Sequence, residues 1–372
     1  MSRIISIDFL RGALLLLMMF DHLLFMCFSK WIATSHITYG LFGYFTAAEG
    51  FFFLSGLVCA LVFDKYYPQQ SKIVEAKFKS RAKKLYSWHM LTFFIATLVI
   101  ILSKPFVNYF AENPYLIAFS DQPLSSLALG SIFLSMPAFL NILPLYILYL
   151  LLGAKILKTL HNGKWRLIST LSIGLWVLAQ SGVWFIVFEK LKSLINLPFN
   201  GGYFDPFAWQ LLFVGGMFFG WLSKRNGLRI LLTSKIIPLA AFIFYLTLWL
   251  NRHHLLPSNL QANEMWIGIS NLGIIRILHF ASFGLFMFPL INRYSKFFSQ
   301  KNIAQLGRHS LHVFAFHVAI LYVTMPMKLI IDNLSLPLSL LMLAALMASL
   351  WMPVFFRERK RKSSIGPALV KA

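Results

Sequence analysis

Residues 8–22 read Asp8-Phe9-Leu10-Arg11-Gly12-Ala13-Leu14-Leu15-Leu16-Leu17-Met18-Met19-Phe20-Asp21-His22, with ionisable groups inside the first long apolar run of the chain. A run of this kind reads as a membrane-spanning helix, and charged groups within one are costly and face a bundle interior. Eleven residues at about 100° each close nearly three turns, so Arg11 and His22 share one helix face, roughly 16 Å apart along the axis. That face carries a fixed cation near one end and a titratable base further in.

The rest of the chain repeats the apolar pattern. Of 372 residues, 58% are hydrophobic and only 12% charged, a balance that excludes an ordinary soluble domain. Apolar runs predict about ten transmembrane helices, near 9–28, 44–64, 85–103, 132–152, 166–188, 206–222, 236–251, 272–292, 309–331 and 336–356. The expected fold is an all-α polytopic integral membrane protein, with one multi-pass domain over 1–356 and a basic tail over 357–372. The stretch near Pro137 reads equally as a loop, a re-entrant piece or a helix start.

The net charge of +22 raises the question of a nucleic-acid partner, and its distribution answers no. With the N-terminus in the cytoplasm, 26 of the 34 Lys and Arg residues fall on the inner side, including Arg3, the 65–84 loop and the tail from Arg357 to Lys371. Lys30, Lys104, Lys190, Lys192, Arg252 and Lys328 fall outside, and Arg11 and Arg276 lie within helices. This asymmetry is a topology signal that places both termini in the cytoplasm. The interrupted first segment is not a cleavable signal peptide. Cys27 and Cys59 lie at different depths, which argues against a disulfide, and no metal-ligand spacing is present. Trp31, Tyr39, Tyr44 and Trp165 are among the aromatics expected at the membrane interfaces.

Four groups carry candidate chemistry. Asp8 and Arg11 are i, i+3 neighbours that can pair and orient the guanidinium. His22 can take a proton from a hydroxyl, oriented by Asp21 or by Glu49, which opens the second helix at similar depth. The bland alternative is that Arg11 snorkels and His22 only hydrogen-bonds a neighbouring helix. Arg308 and His309, at the cytoplasmic mouth of the ninth helix, suit an anionic donor's phosphates, or else serve topology and capping. On the outer side, Asn141, Trp209, Gln210, Arg276 and His279 suit stacking and hydrogen bonding to a sugar, although such residues are also common at interfaces. Gly50, Ser55 and Gly56 are small enough for close helix approach, and the phenylalanines of 51–53 read as packing.

The blocks Ile7-Asp8-Phe9-Leu10-Arg11-Gly12, Asp21-His22, Ala47-Ala48-Glu49-Gly50-Phe51-Phe52-Phe53-Leu54-Ser55-Gly56, Ile142-Leu143-Pro144-Leu145-Tyr146, Pro206-Phe207-Ala208-Trp209-Gln210-Leu211-Leu212-Phe213 and Gly307-Arg308-His309-Ser310-Leu311-His312-Val313-Phe314 run in order over nearly the whole chain. Together they resemble the OpgC family, implicated in succinylating osmoregulated periplasmic glucans and related to the acyltransferase-3 superfamily. The resemblance implies an inner-membrane O-acyltransferase that moves an acyl group from cytoplasmic acyl-CoA, succinyl-CoA if the group is succinyl, to a hydroxyl of an extracytoplasmic glycan. On that implication His22 is the base, helped by Asp21 or Glu49. Arg11 holds the acyl end of the donor, with Asp8 beside it, and Arg308 and His309 lie near the CoA phosphates. The competing expectation is a proton-coupled transporter or flippase whose relay is Asp8, Arg11, His22 and Glu49. Transporters often carry internal repeats, and none is evident. Membrane lipids are the other expected partner, and oligomeric state is left open.

Overall fold

The computed structural model describes residues 4–28, 41–67, 69–104, 116–257 and 263–369. Arg3, Lys30, Trp31, Tyr39 and Lys371, named above, lie outside them. The described residues form helices and no strands. Labelled in chain order, the helices used below are α1 (Ile5–Met26), α2 (Ala47–Phe63), α3 (Ser71–Ser103), α4 (Ile142–His161), α5 (Trp165–Ala179), α6 (Val183–Ile195), α7 (Pro206–Ser223), α8 (Ile236–Arg252), α9 (Ile274–Arg293), α10 (Lys301–Arg308), α11 (Ser310–Thr324), α12 (Leu336–Ser349) and α13 (Met352–Leu369).

Among the described residues, eight helical stretches are long and apolar enough to cross a membrane, which makes this a multi-pass membrane protein. α5 and α6 make a ninth span if taken as one, bent by 52° at the break around Gly182. α8 is equally apolar, but its 17 residues reach only about 26 Å, short of a bilayer core of about 30 Å.

Two expected segments differ. Residues 132–141 do not begin a span: Phe133 and Phe139 take left-handed backbone conformations, Pro137 lies between them, and α4 starts at Ile142. The basic 65–84 segment is not a loop either. From Ser71 it is the first half of α3, a single helix of 33 residues. Val74, Phe78, Ala82 and Leu85 form a buried stripe at helical spacing, and lysines such as Lys72, Lys79 and Lys83 cover the exposed face.

The chain packs as two compact units, Met1–His36 with Tyr294–Ala372, and Ile37–Arg293. α13 runs through residue 356, where the basic tail was expected to begin.

In the first unit α1 crosses α10 at Gly12 and Gly307. A Cβ on Gly12 would collide with the Ile303 carbonyl oxygen, and one on Gly307 with that of Asp8. Only glycine permits this backbone contact. Leu15, Met19 and Leu23 of α1 are fully buried, as are Val313, Val318 and Leu321 of α11.

The second unit is centred on α2 and α7. Gly56 abuts the Phe213 carbonyl and Gly216 that of Phe53, so the two helices meet backbone to backbone. Beside that seam Phe52 packs on Trp209 and Tyr149, with ring centroids 5.4 and 5.8 Å away. Asp205 caps α7, accepting hydrogen bonds from the backbone N–H groups of Phe207 (2.8 Å) and Ala208 (3.3 Å), with Pro206 in the first helical position.

Candidate functional site

In the first unit α1 and α11 run in the same direction and are joined by two polar rungs. Arg11, 8% exposed, donates from Nη2 to Ser310 Oγ at 2.5 Å. Further along, His22 Nδ1 and His317 Nε2 lie 3.0 Å apart. The face shared by Arg11 and His22 therefore meets the face shared by Ser310 and His317, seven residues apart on α11. The two members of the second rung differ in access: His317 is fully buried, whereas His22 keeps part of its surface exposed. Asp8 is buried where α1 crosses α10.

The expected helpers of His22 are placed elsewhere. Successive residues of a helix do not face each other, and Asp21 is not bonded to His22. Its Oδ1 is buried without a hydrogen-bond partner among the described residues. Glu49 belongs to the second unit, where Arg276 Nε donates to its Oε1 in an ion pair with both side chains at most 1% exposed. Its Oε2 accepts from the Thr46 backbone N–H at 2.9 Å and the Thr46 hydroxyl at 2.7 Å, while Thr46 Oγ1 accepts from the Ala48 N–H at 3.3 Å. This is a capping box, and its signature, Thr46-Ala47-Ala48-Glu49, was present in the sequence. The expectation that His22 partners Glu49 gives way to Arg276.

At the donor end, the helix predicted to open near Arg308 is broken at His309. Arg308 ends α10, and α11 starts at Ser310. His309 Nε2 pairs with Glu358 Oε1 of α13 at 2.9 Å, and Arg357 Nη1 reaches His312 Nε2 at 2.7 Å. His309 is thus tied to the C-terminal helix rather than presented to a ligand. Arg308 remains half-buried, with Nε unpartnered among the described residues, directly ahead of the α11 N-terminus.

The outer polar residues of the second unit divide in two. Trp209 and Gln210 are bonded within the fold. Trp209 is fully buried, and its indole N–H donates to the carbonyls of Ile269 (3.0 Å) and Ser270 (3.1 Å). Gln210 clamps Ser172, accepting from its hydroxyl and donating to its carbonyl, both at 2.7 Å. The others keep unused polar atoms: Asn141 Oδ1, Arg276 Nη2 and His279 Nε2 are buried without hydrogen-bond partners among the described residues. His279 Nδ1 accepts from the Tyr44 N–H at 3.1 Å. Burial pushes the Asp205 carboxyl above the usual carboxylate range, opposed by the two N–H groups it caps. A cavity of about 390 Å³ lies between residues 117–122, α6 and residues 196–202, lined among others by Phe185, Phe188, Lys192, Asn196, Asn200 and Gly202.

The sequence reading missed one polar cluster. Asp64, at the end of α2, pairs with Arg225 (3.3 Å) and with His161 Nδ1 (3.3 Å), tying together the ends of α2, α4 and α7. Its members lie far apart in sequence, so no local pattern joins them. No group of three or more metal-ligating side chains occurs among the described residues.

No curated protein and no solved structure matches the chain. The OpgC protein family matches residues 3–362, nearly its whole length. The ordered blocks from Asp8 to Phe314 that resemble that family therefore belong to one continuous match, and the chain is a member of the OpgC family.

Proposed function

We propose that this protein is a membrane-bound O-acyltransferase that moves an acyl group from cytoplasmic acyl-CoA to a hydroxyl of an extracytoplasmic glycan. Family membership supports an enzyme that modifies glucans by acyl transfer. One observation carries the reading: α1 holds the buried, anchored Arg11 and the partly exposed His22 on the same face. In this reading the acceptor O–H gives its proton to His22 Nε2 while its oxygen bonds to the thioester carbonyl carbon. The C–S bond then breaks, and the CoA thiolate takes the proton from His22. Arg11 stabilises the acyl end of the donor, including the free carboxylate if the group is succinyl. Arg276 is the weaker candidate for that carboxylate, because Glu49 already neutralises it. Asp8 supports Arg11, and Arg308 beside the α11 N-terminus suits the CoA phosphates. Asn141 and His279, the residues read from the sequence as binding the acceptor, keep buried polar atoms that are unpartnered among the described residues, within the second unit.

The same reading places the protein in an inner membrane with both termini cytoplasmic. This reading counts the short α8 as a crossing beside the eight spans and the bent pair α5–α6, which gives the even number that the charge asymmetry calls for. The test is acyl-CoA turnover by the purified full chain. His22→Ala should lower kcat by about 10²–10⁴-fold, the range of general acid–base catalysis, with the fold retained. Equal rates for His22→Ala and wild type with every acyl-CoA tried would remove the base.

A further inference from the structure

His317 lies on α11, 295 residues after His22, and has no role in the reaction as written. The geometry of the pair is specific. The His22 and His317 ring planes differ by 23°, and their centroids are 5.0 Å apart. Two ring radii of about 1.1 Å each, added to the N···N separation of 3.0 Å, give about that distance, so the rings meet edge to edge, with an N–H directed at a lone pair. They do not lie face to face. Phe314 holds His317 from the side, its ring edge-on with centroids 5.6 Å apart.

We infer that His317 is a positioning residue for His22: its Nε2 accepts the hydrogen bond from His22 Nδ1–H, which fixes the ring and supports its charge when His22 Nε2 takes a proton. This rests on the reading of His22 as base and adds the group through which it acts. An imidazole that takes a proton at Nε2 becomes a donor at both nitrogens, so its Nδ1–H then requires an acceptor. In many enzymes a carboxylate fills that place; here a second imidazole does. The His317 Nδ1 is buried with no hydrogen-bond partner among the described residues, so no other group pins its tautomer. With Nε2 open to take a proton, neutral His22 carries its hydrogen on Nδ1, so His317 Nε2 accepts from neutral and charged His22 alike and the bond persists in both charge states. Because His317 is sealed and His22 is partly exposed, the substrate-facing member is His22. The other charged or titratable groups carried by elements packed on the pair are Asp8, Arg11 and Asp21 on α1, Lys301 and Arg308 on α10, and His312 and Tyr322 on α11, with Arg357, Glu358, Arg359, Lys360, Arg361 and Lys362 on α13 behind α11. α12, which also packs on α1, carries none.

The test reads His22 without depending on the identity of the acyl group. The purified full chain is treated with diethyl pyrocarbonate, which modifies neutral imidazole, and the rate at His22 is followed by peptide mass spectrometry from about pH 5 to 9. Losing the acceptor destabilises charged His22, so His317→Phe should move the midpoint down by about one pH unit. It should also lower kcat for succinyl-CoA turnover by about 10- to 100-fold, with KM changed less than about threefold. His317→Gln, whose amide can donate or accept at the same reach, should restore the midpoint and most of the rate. Should His317→Phe fail to purify folded, His317→Asn, too short to reach Nδ1, takes its place. A midpoint unchanged from wild type in the Phe or Asn variant overturns the inference. If that happens while His22→Ala is inactive, the base survives and only the role of His317 falls. An active His22→Ala, by contrast, removes the base itself.

Discussion

Each unit buries a long-range polar contact at membrane depth, and the two contacts differ in what they can do. Arg276 and Glu49 are a fixed cation and a fixed anion, almost completely sealed, with the carboxylate also bonded by Thr46. An arginine does not give up its proton, so this pair has one state. His22 and His317 are two imidazoles 3.0 Å apart, one sealed and one partly exposed, and each can hold or release a proton. A buried charge thus marks chemistry only when its partner leaves it a second state. By that criterion the Glu49–Arg276 pair holds one arrangement, while the His22–His317 pair can follow a proton.

The sharpest way to break the comparison is to unbalance the fixed pair. Glu49→Gln leaves Arg276 as a buried, uncompensated cation and should cost about 3–5 kcal/mol of stability, read as a fall in the melting temperature of the detergent-solubilised protein. Adding Arg276→Met should return much of that loss. A Glu49→Gln variant as stable as wild type but without turnover would put Glu49 back among the catalytic groups. A smaller effect is expected at the other unit's cation. Arg11→Lys keeps the charge but loses the planar fork that reaches Ser310, and should lower kcat/KM by about tenfold with little change in melting temperature. Full activity in that variant would show that charge alone suffices. The smallest effect belongs to Trp209→Phe, which removes the indole N–H shared by Ile269 and Ser270 and should cost about 1 kcal/mol. A change in acceptor KM without a change in stability would return Trp209 to a binding role.

Much of the fold was legible because helix periodicity is local. The shared face of Arg11 and His22 followed from spacing alone, as did the seven-residue spacing of Ser310 and His317. Their meeting did not, because nothing in either helix states which other helix it packs on. The capping role of Glu49 went unread although its signal was available: Thr46-Ala47-Ala48-Glu49 spells a capping box, and the depth argument drew attention from it. Trp209 and Gln210 pose a different problem for a sequence. Indole and amide groups serve an open sugar platform and a sealed helix seam equally well, and only burial separates the two. The lysines of 72–84 obscured the stripe from Val74 to Leu85, so a helix was read as a loop. At 132–141 the apolar letters of Ile132-Phe133-Leu134 suggested a span that two left-handed residues and Pro137 interrupt.

The separation along the chain within each rung, 299 residues for Arg11–Ser310 and 295 for His22–His317, has a consequence for biosynthesis. At about 5–20 residues per second, α1 leaves the ribosome roughly 15–60 seconds before the helix that completes its polar face. During that interval its arginine and histidine must be sheltered by lipid headgroups, by water or by the insertion machinery. The two rungs therefore form late, and a nascent chain stalled before residue 310 would be held in the membrane with neither of them closed.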